Sequence, residues 1–199
     1  LAVLALAIAL ESVLPSRLTA APSWVLPAVG AVLLVRLITA SPFRITGANR
    51  ARRRVSLIAT ALVALSNGIA LGLLCHLLFR AQPINGKQLI LAGGQIWLTN
   101  VLLFSVWYWE LDRGGPGLRA AGEDGVPDFL YPQMSEGGVL AGWRPQFVDY
   151  LYVSLTNATA FSPTDTMPLS PSAKLIMGAQ SLISLITIGL VVARAVNIL

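Results

Sequence analysis

Between Ser154 and Lys174 the chain reads Ser-Leu-Thr-Asn-Ala-Thr-Ala-Phe-Ser-Pro-Thr-Asp-Thr-Met-Pro-Leu-Ser-Pro-Ser-Ala-Lys, a run of hydroxyl, amide and carboxyl groups set directly before a long apolar segment. Such a run points to transport before bond-making. Residues 147–161 can form a helix of about 15 residues, roughly 22 Å at 1.5 Å per residue, which falls short of the ~30 Å hydrocarbon core. Pro163 then breaks the helix and exposes backbone polar groups. Inside a bilayer these are tolerated only where protein or a water-filled cavity satisfies them, a condition that a re-entrant segment lining a pore meets.

Other groups carry a sharp and a plain reading. Asp165 suits the attraction of ions, and equally the N-cap or turn position of the last helix. Asn157 and Thr159 suit a pore wall, although hydrogen bonding between packed helices is the commoner use of such residues. The Asn157-Ala-Thr159 glycosylation pattern is discounted for a segment placed in the membrane. Asn67, Gln95, Asn100 and Gln180 lie inside apolar runs and fit either a permeation path or interhelical bonding. Cys75 and His76 are adjacent, so on a helix they point in different directions, and no further metal ligand is near in sequence. Glu110 and Arg113 have the i to i+3 spacing of a pair at a helix end. Arg36, one turn before the end of its run, can snorkel to the membrane surface. No Gly-x-Ser-x-Gly elbow, phosphate-cradling loop, His-rich cluster or Rossmann fingerprint occurs, so neither enzyme activity nor a cofactor or metal site is expected.

The 199 residues are 55% hydrophobic and 12% charged, with a mean hydropathy of +0.72. Lipid is the solvent for most of such a chain. The formal charge of +5 does not imply nucleic acid, because the basic residues cluster in one loop between apolar runs and do not interleave with aromatic residues. A single cysteine, Cys75, excludes an intrachain disulfide. Residues 1–10 lack the basic region and cleavage site of a signal peptide, and a start on Leu1 without Met predicts that the beginning is incomplete.

Five runs meet or approach the length of a membrane crossing: 1–14, which is short, then 24–40, 55–79, 89–109 and 175–199. Gly93-Gly94 is predicted to be a point of close helix approach. Arg44, Arg50, Arg52, Arg53 and Arg54 fill the loop between the second and third runs and should stay cytoplasmic. Trp107, Tyr108 and Trp109 close the fourth run as an interfacial belt. From Gly114 to Pro145 the chain is Gly- and Pro-rich, acidic and longer than most connections, and reads as a loop with a short interfacial helix. Tyr131, Trp143 and Phe147 are placed at the membrane surface. The chain is therefore one membrane domain with three parts: a four-span region 1–113, the loop 114–145, and a loop-plus-helix unit 146–199.

That last unit resembles the pore module of tetrameric potassium channels, in which an aromatic-rich pore helix is followed by Thr-x-Gly-Tyr-Gly-Asp, a Pro three residues on, and an inner helix. Tyr150-Leu-Tyr-Val-Ser154 matches the pore helix, Thr159 the start of the filter and Asp165 the Asp after it. Pro168, Ser170-Pro171 and Lys174 continue the match over roughly the last 50 residues. At the Gly-Tyr-Gly positions stand Ser162, Pro163 and Thr164, which removes the glycine freedom at positive φ on which a ring of carbonyls relies. The resemblance then implies an ion pathway lined by the hydroxyls of Thr159, Ser162 and Thr164 or by a ring of Asp165. Most of the chain is also similar to an uncharacterised family of multi-pass bacterial inner-membrane proteins with an Arg-rich second loop.

Together these readings predict an all-α integral membrane protein with five transmembrane helices and a re-entrant or short sixth segment. Its expected role is a channel-like pore acting on monovalent cations, in a homo-oligomer or membrane complex. The alternative is a non-conducting accessory subunit. Potassium channels admit the pore loop from outside, whereas an inside Arg-rich loop followed by two crossings leaves residue 147 inside. Three resolutions follow: residues 147–161 cross fully, the pore loop is inverted, or the Arg-rich loop lies outside.

Overall fold

The computed structural model describes residues 2–19, 28–29, 32, 48–80, 86–122, 125–134, 142–159 and 165–196. Their helices are α1 (Ala2–Ser12), α2 (Ala48–Phe79), α3 (Gly86–Leu111), α4 (Pro116–Ala121), α5 (Phe147–Thr159) and α6 (Pro171–Val196), with short 3-10 turns between. A two-residue antiparallel ladder joins β1 (Phe129–Leu130) to β2 (Met167–Pro168). Among the described residues three helices, α2, α3 and α6, are long and apolar enough to cross a membrane. The first predicted span is represented by α1, of 11 residues. The second, 24–40, and Arg36 within it lie outside the described residues but for positions 28, 29 and 32.

The helix α3 is the axis of the bundle. Its near-continuous apolar run has no polar face to give to water, and every residue from Thr99 to Val106 is buried. Leu4, Ala7 and Ile8 of α1 and Ala59 and Val63 of α2 pack with Leu102 and Leu103 on one side. On the other, Phe104 and Tyr108 meet Tyr150 and Val153 of α5 and Ala173 and Met177 of α6. By contrast α6 leaves Leu175, Leu182, Leu185, Ile186 and Val192 exposed, which costs nothing where lipid is the solvent. One of the two predicted close-approach glycines acts as such. A Cβ on Gly93 would overlap Val191 Cγ2 of α6, whereas nothing lies within 4 Å of one on Gly94.

The path of the last third of the chain follows from its hydrogen bonds. The α5 helix begins beside the end of α3, where the rings of Phe147 and Trp109 are 5.8 Å apart. It then runs antiparallel to α3. Ser154 Oγ donates to the Val101 carbonyl at 2.7 Å, and Trp97 Nε1 donates to the Ala158 carbonyl at 3.4 Å. At 13 residues, α5 ends level with the middle of α3. By Leu169 the chain has returned to the end it left, because Leu169 N donates to the Asp128 carbonyl at 2.8 Å and β2 pairs with β1. Asp128 is itself bonded to Asp112 and Arg113 at the end of α3. From Pro171, α6 descends the whole of α3, parallel to α5.

Helix-start chemistry fixes both limbs. Asp149 Oδ2 accepts from Gln146 N at 2.7 Å, the back-bond of a capping box at the first turn of α5. Ser170 Oγ accepts from Ala173 N at 3.2 Å, with Pro171 as the first residue of α6. Ser170 is therefore the N-cap of the last helix, and Asp165 is not.

Candidate functional site

A polar seam runs through the contact of α3, α5 and α6, at depths where the sequence is otherwise apolar. Gln180, fully buried on α6, is its centre. Its Nε2 donates to Ser154 Oγ at 2.7 Å and to the Ser154 carbonyl at 2.9 Å. Its Oε1 accepts from Tyr108 Oη and, at 2.9 Å, from Asn157 Nδ2. Asn157 also donates to the Met177 carbonyl at 2.9 Å and accepts from Ser181 Oγ at 3.0 Å. One turn further along α6, Asn100 Nδ2 donates to Ser184 Oγ at 2.8 Å. Each bond ties two different helices, so the seam fixes the register of the α5–α6 hairpin against α3.

Above the seam a second cluster closes the end of α3. The last carbonyls of a helix lack partners within it, and here guanidinium groups supply them. Arg53 Nη2 donates to the Glu110 carbonyl at 3.0 Å, while Arg119 donates to the carbonyls of Asp112 at 2.5 Å and Trp109 at 2.9 Å. The guanidinium of Arg119 also lies 4.3 Å from the Trp109 ring centre. Asp112 is fully buried. Its Oδ2 accepts from Tyr150 Oη at 2.6 Å, its Oδ1 accepts from Asp128 N at 2.9 Å, and the Arg113 guanidinium is 3.8 Å away. Asp128 Oδ2 in turn accepts from Arg113 N at 2.9 Å, which holds Arg113 at φ 51°.

The aromatic residues predicted to rest at the membrane surface pack at this end of α3, Phe147 against Trp109 and Trp143 against Tyr131. Tyr131 is buried, with ring centres 5.8 Å from Tyr150 and 5.4 Å from Trp143. Burial, then the negative charges around it, pushes the Tyr131 hydroxyl well above the usual range, so it is a neutral phenol and no nucleophile.

The predicted pore residues fare differently from one another. Thr159 ends α5, half-buried, and returns its hydroxyl to the Thr156 carbonyl at 2.8 Å. Asp165 is exposed at the bend that follows. Ser162 and Thr164, with Pro163, lie outside the described residues. Asn67, Asn100, Asn157 and Gln180 all bond between helices. His76 is exposed while Cys75 packs against the α1–α2–α3 core, so the adjacent pair does not converge. Glu110 lies 3.9 Å from Arg53, a partner 57 positions away that local spacing does not reveal. Sequence reasoning passed over Glu11, Arg119 and Asp128. For Glu11 the signal was present, a lone acid in the apolar run 1–14.

Comparison with protein-family models, with curated proteins and with solved structures finds no match.

Proposed function

We propose that the chain is the pore-module subunit of an oligomeric, channel-like membrane protein that passes monovalent cations. In this reading α1, the run 24–40, α2, α3 and α6 make five crossings, and α5 with residues 160–166 is a re-entrant hairpin. The observation that carries it is a half-length helix whose chain returns to its side of departure, with α5 and α6 both starting at the end of α3. Arg53 stands at that same end. By the positive-inside rule this is the cytoplasmic side. The hairpin is then inverted relative to potassium channels, the second of the three resolutions. Thr159, Ser162, Thr164 and Asp165 line the turn, and copies of the chain meet around it.

Purified protein reconstituted in liposomes is expected to carry cation flux, and Asp165→Asn to lower that flux severalfold. Absence of flux from a folded, pure oligomer contradicts the proposal.

One observation favours a second reading, the non-conducting accessory subunit. The seam residues of α3, α5 and α6 satisfy one another, so no polar path runs between these helices inside one chain. Silent bilayers, together with co-purification of a larger membrane assembly, are the outcome of that reading.

A further inference from the structure

The joint of α1, α2 and α3 holds polar groups that neither the seam nor the hairpin uses. Glu11 on α1 is 5% exposed, and its Oε2 accepts from Ser66 Oγ at 2.7 Å. Its other oxygen, Oε1, is buried without a hydrogen-bond partner. Asn67, next to Ser66, faces α3 and donates from Nδ2 to the Ile96 carbonyl at 3.2 Å. A carbonyl can only accept, so this bond fixes the orientation of the amide and leaves Asn67 Oδ1 as the free end. That oxygen is also buried and unpartnered. Thr99, fully buried on α3 one turn beyond Ile96, adds an unpartnered Oγ1. Among the described residues the other helical threonines, Thr60, Thr156, Thr159 and Thr187, return their hydroxyls to a carbonyl of the preceding turn. Thr99 does not.

Packing sets these groups at one level. Toward one end of the joint, Leu4, Ala7 and Ile8 meet Val63, Leu102 and Leu103. Toward the other, Leu14 meets Ala70, Leu71, Ala92 and Ile96. Between the two layers lie Glu11 on α1, Ser66 and Asn67 on α2, and Thr99 on α3.

A carboxyl group among apolar side chains is costly in its charged form and is met by protonation, an ion pair or a bound cation. Among the described residues no Lys or Arg forms an ion pair with Glu11. A proton on Oε1 neutralises the carboxyl and links it to one further oxygen, whereas a bound cation meets all three oxygens at once. Three buried acceptor oxygens carrying a single negative charge suit a hard monovalent cation, which binds through oxygen ligands. We infer that Glu11 Oε1, Asn67 Oδ1 and Thr99 Oγ1 form a binding site for a monovalent cation of the sodium class, inside the α1–α2–α3 joint and independent of the pore hairpin. Ser66 is a positioning residue that holds the carboxylate from outside the ligand set.

The test uses the chain in lipid nanodiscs, with thermal unfolding followed as NaCl replaces choline chloride at constant ionic strength. A saturable rise in Tm with sodium is expected, since a ligand that binds only the folded state stabilises it. Glu11→Gln keeps an oxygen for Ser66 and is expected to lose the rise. Ser66→Ala is expected to weaken the apparent sodium affinity roughly tenfold, as loss of a supporting partner does at other cation sites. Thr99→Val removes one ligand at almost constant volume and is expected to shift the titration to higher sodium. It serves as the decisive variant should Glu11→Gln fail to fold. A Tm that is equal in NaCl and choline chloride, or a rise that either Glu11→Gln or Thr99→Val retains unchanged, overturns the site.

Discussion

Replacing Gln180 by Leu lowers the unfolding free energy by about 2–4 kcal/mol. Leu nearly fills the volume but cannot bond. The substitution removes four side-chain hydrogen bonds, to Tyr108, Asn157 and, twice, to Ser154. Interhelical bonds in membranes average only about 0.6 kcal/mol each, so the bonds alone supply the lower figure. The rest comes from a Tyr108 hydroxyl left without its acceptor in a dry interface, whereas Asn157 keeps the Met177 carbonyl and Ser181 as partners. Denaturant or thermal unfolding in detergent micelles measures the loss, and a double-mutant cycle with Ser154→Ala assigns the part that the pair carries. Stability within about 0.5 kcal/mol of the wild type would show that the seam does not hold the hairpin.

Asp112→Ala is expected to cost about 3–5 kcal/mol, the range for breaking a buried charge pair by removing one partner. Its fully buried carboxylate satisfies the Tyr150 hydroxyl and the Asp128 amide and faces Arg113. Removing it unfastens the start of α5 from the end of α3 and unsettles the segment that carries β1. Trypsin cleavage at Arg113 and Arg119 should accelerate in parallel, because Arg119 is otherwise buried against Trp109 and the final α3 carbonyls. A loss of stability without faster cleavage would place the damage elsewhere.

Parts of this architecture can be read from single segments. The apolar run 89–109 has no polar face, and it became the buried axis α3. Residues 147–161 read as a short helix ahead of Pro163, and α5 ends at Thr159, level with the middle of α3. Such features are local, set by helix rise and the position of a breaker. The closure of the α3 end was not legible, because it depends on partners far apart in sequence. Arg53 with Glu110, Asp112 with Asp128 and Tyr150, and the two-residue β1–β2 ladder have no periodic signature. Polar residues such as Asn67 and Gln180 announced that something bonds within the membrane, but pairwise packing alone decides with what. Of the four predicted pore residues, Thr159 ends α5 and Asp165 is exposed at a bend before β2, and Ser162 and Thr164 fall outside the described residues.

The central claim is that α5 enters and leaves the membrane on one side. Single cysteines at Ala121, Leu169 and Phe79, all exposed positions, test it in a Cys75→Ser background with a membrane-impermeant maleimide on sealed vesicles. Ala121 precedes α5, Leu169 follows its return, and Phe79 ends α2 at the opposite end of the bundle. Labelling of Ala121→Cys and Leu169→Cys from the same face, with Phe79→Cys reacting from the other, is the predicted result. Labelling of Ala121→Cys and Leu169→Cys from opposite faces would mean that α5 crosses, and would contradict the account.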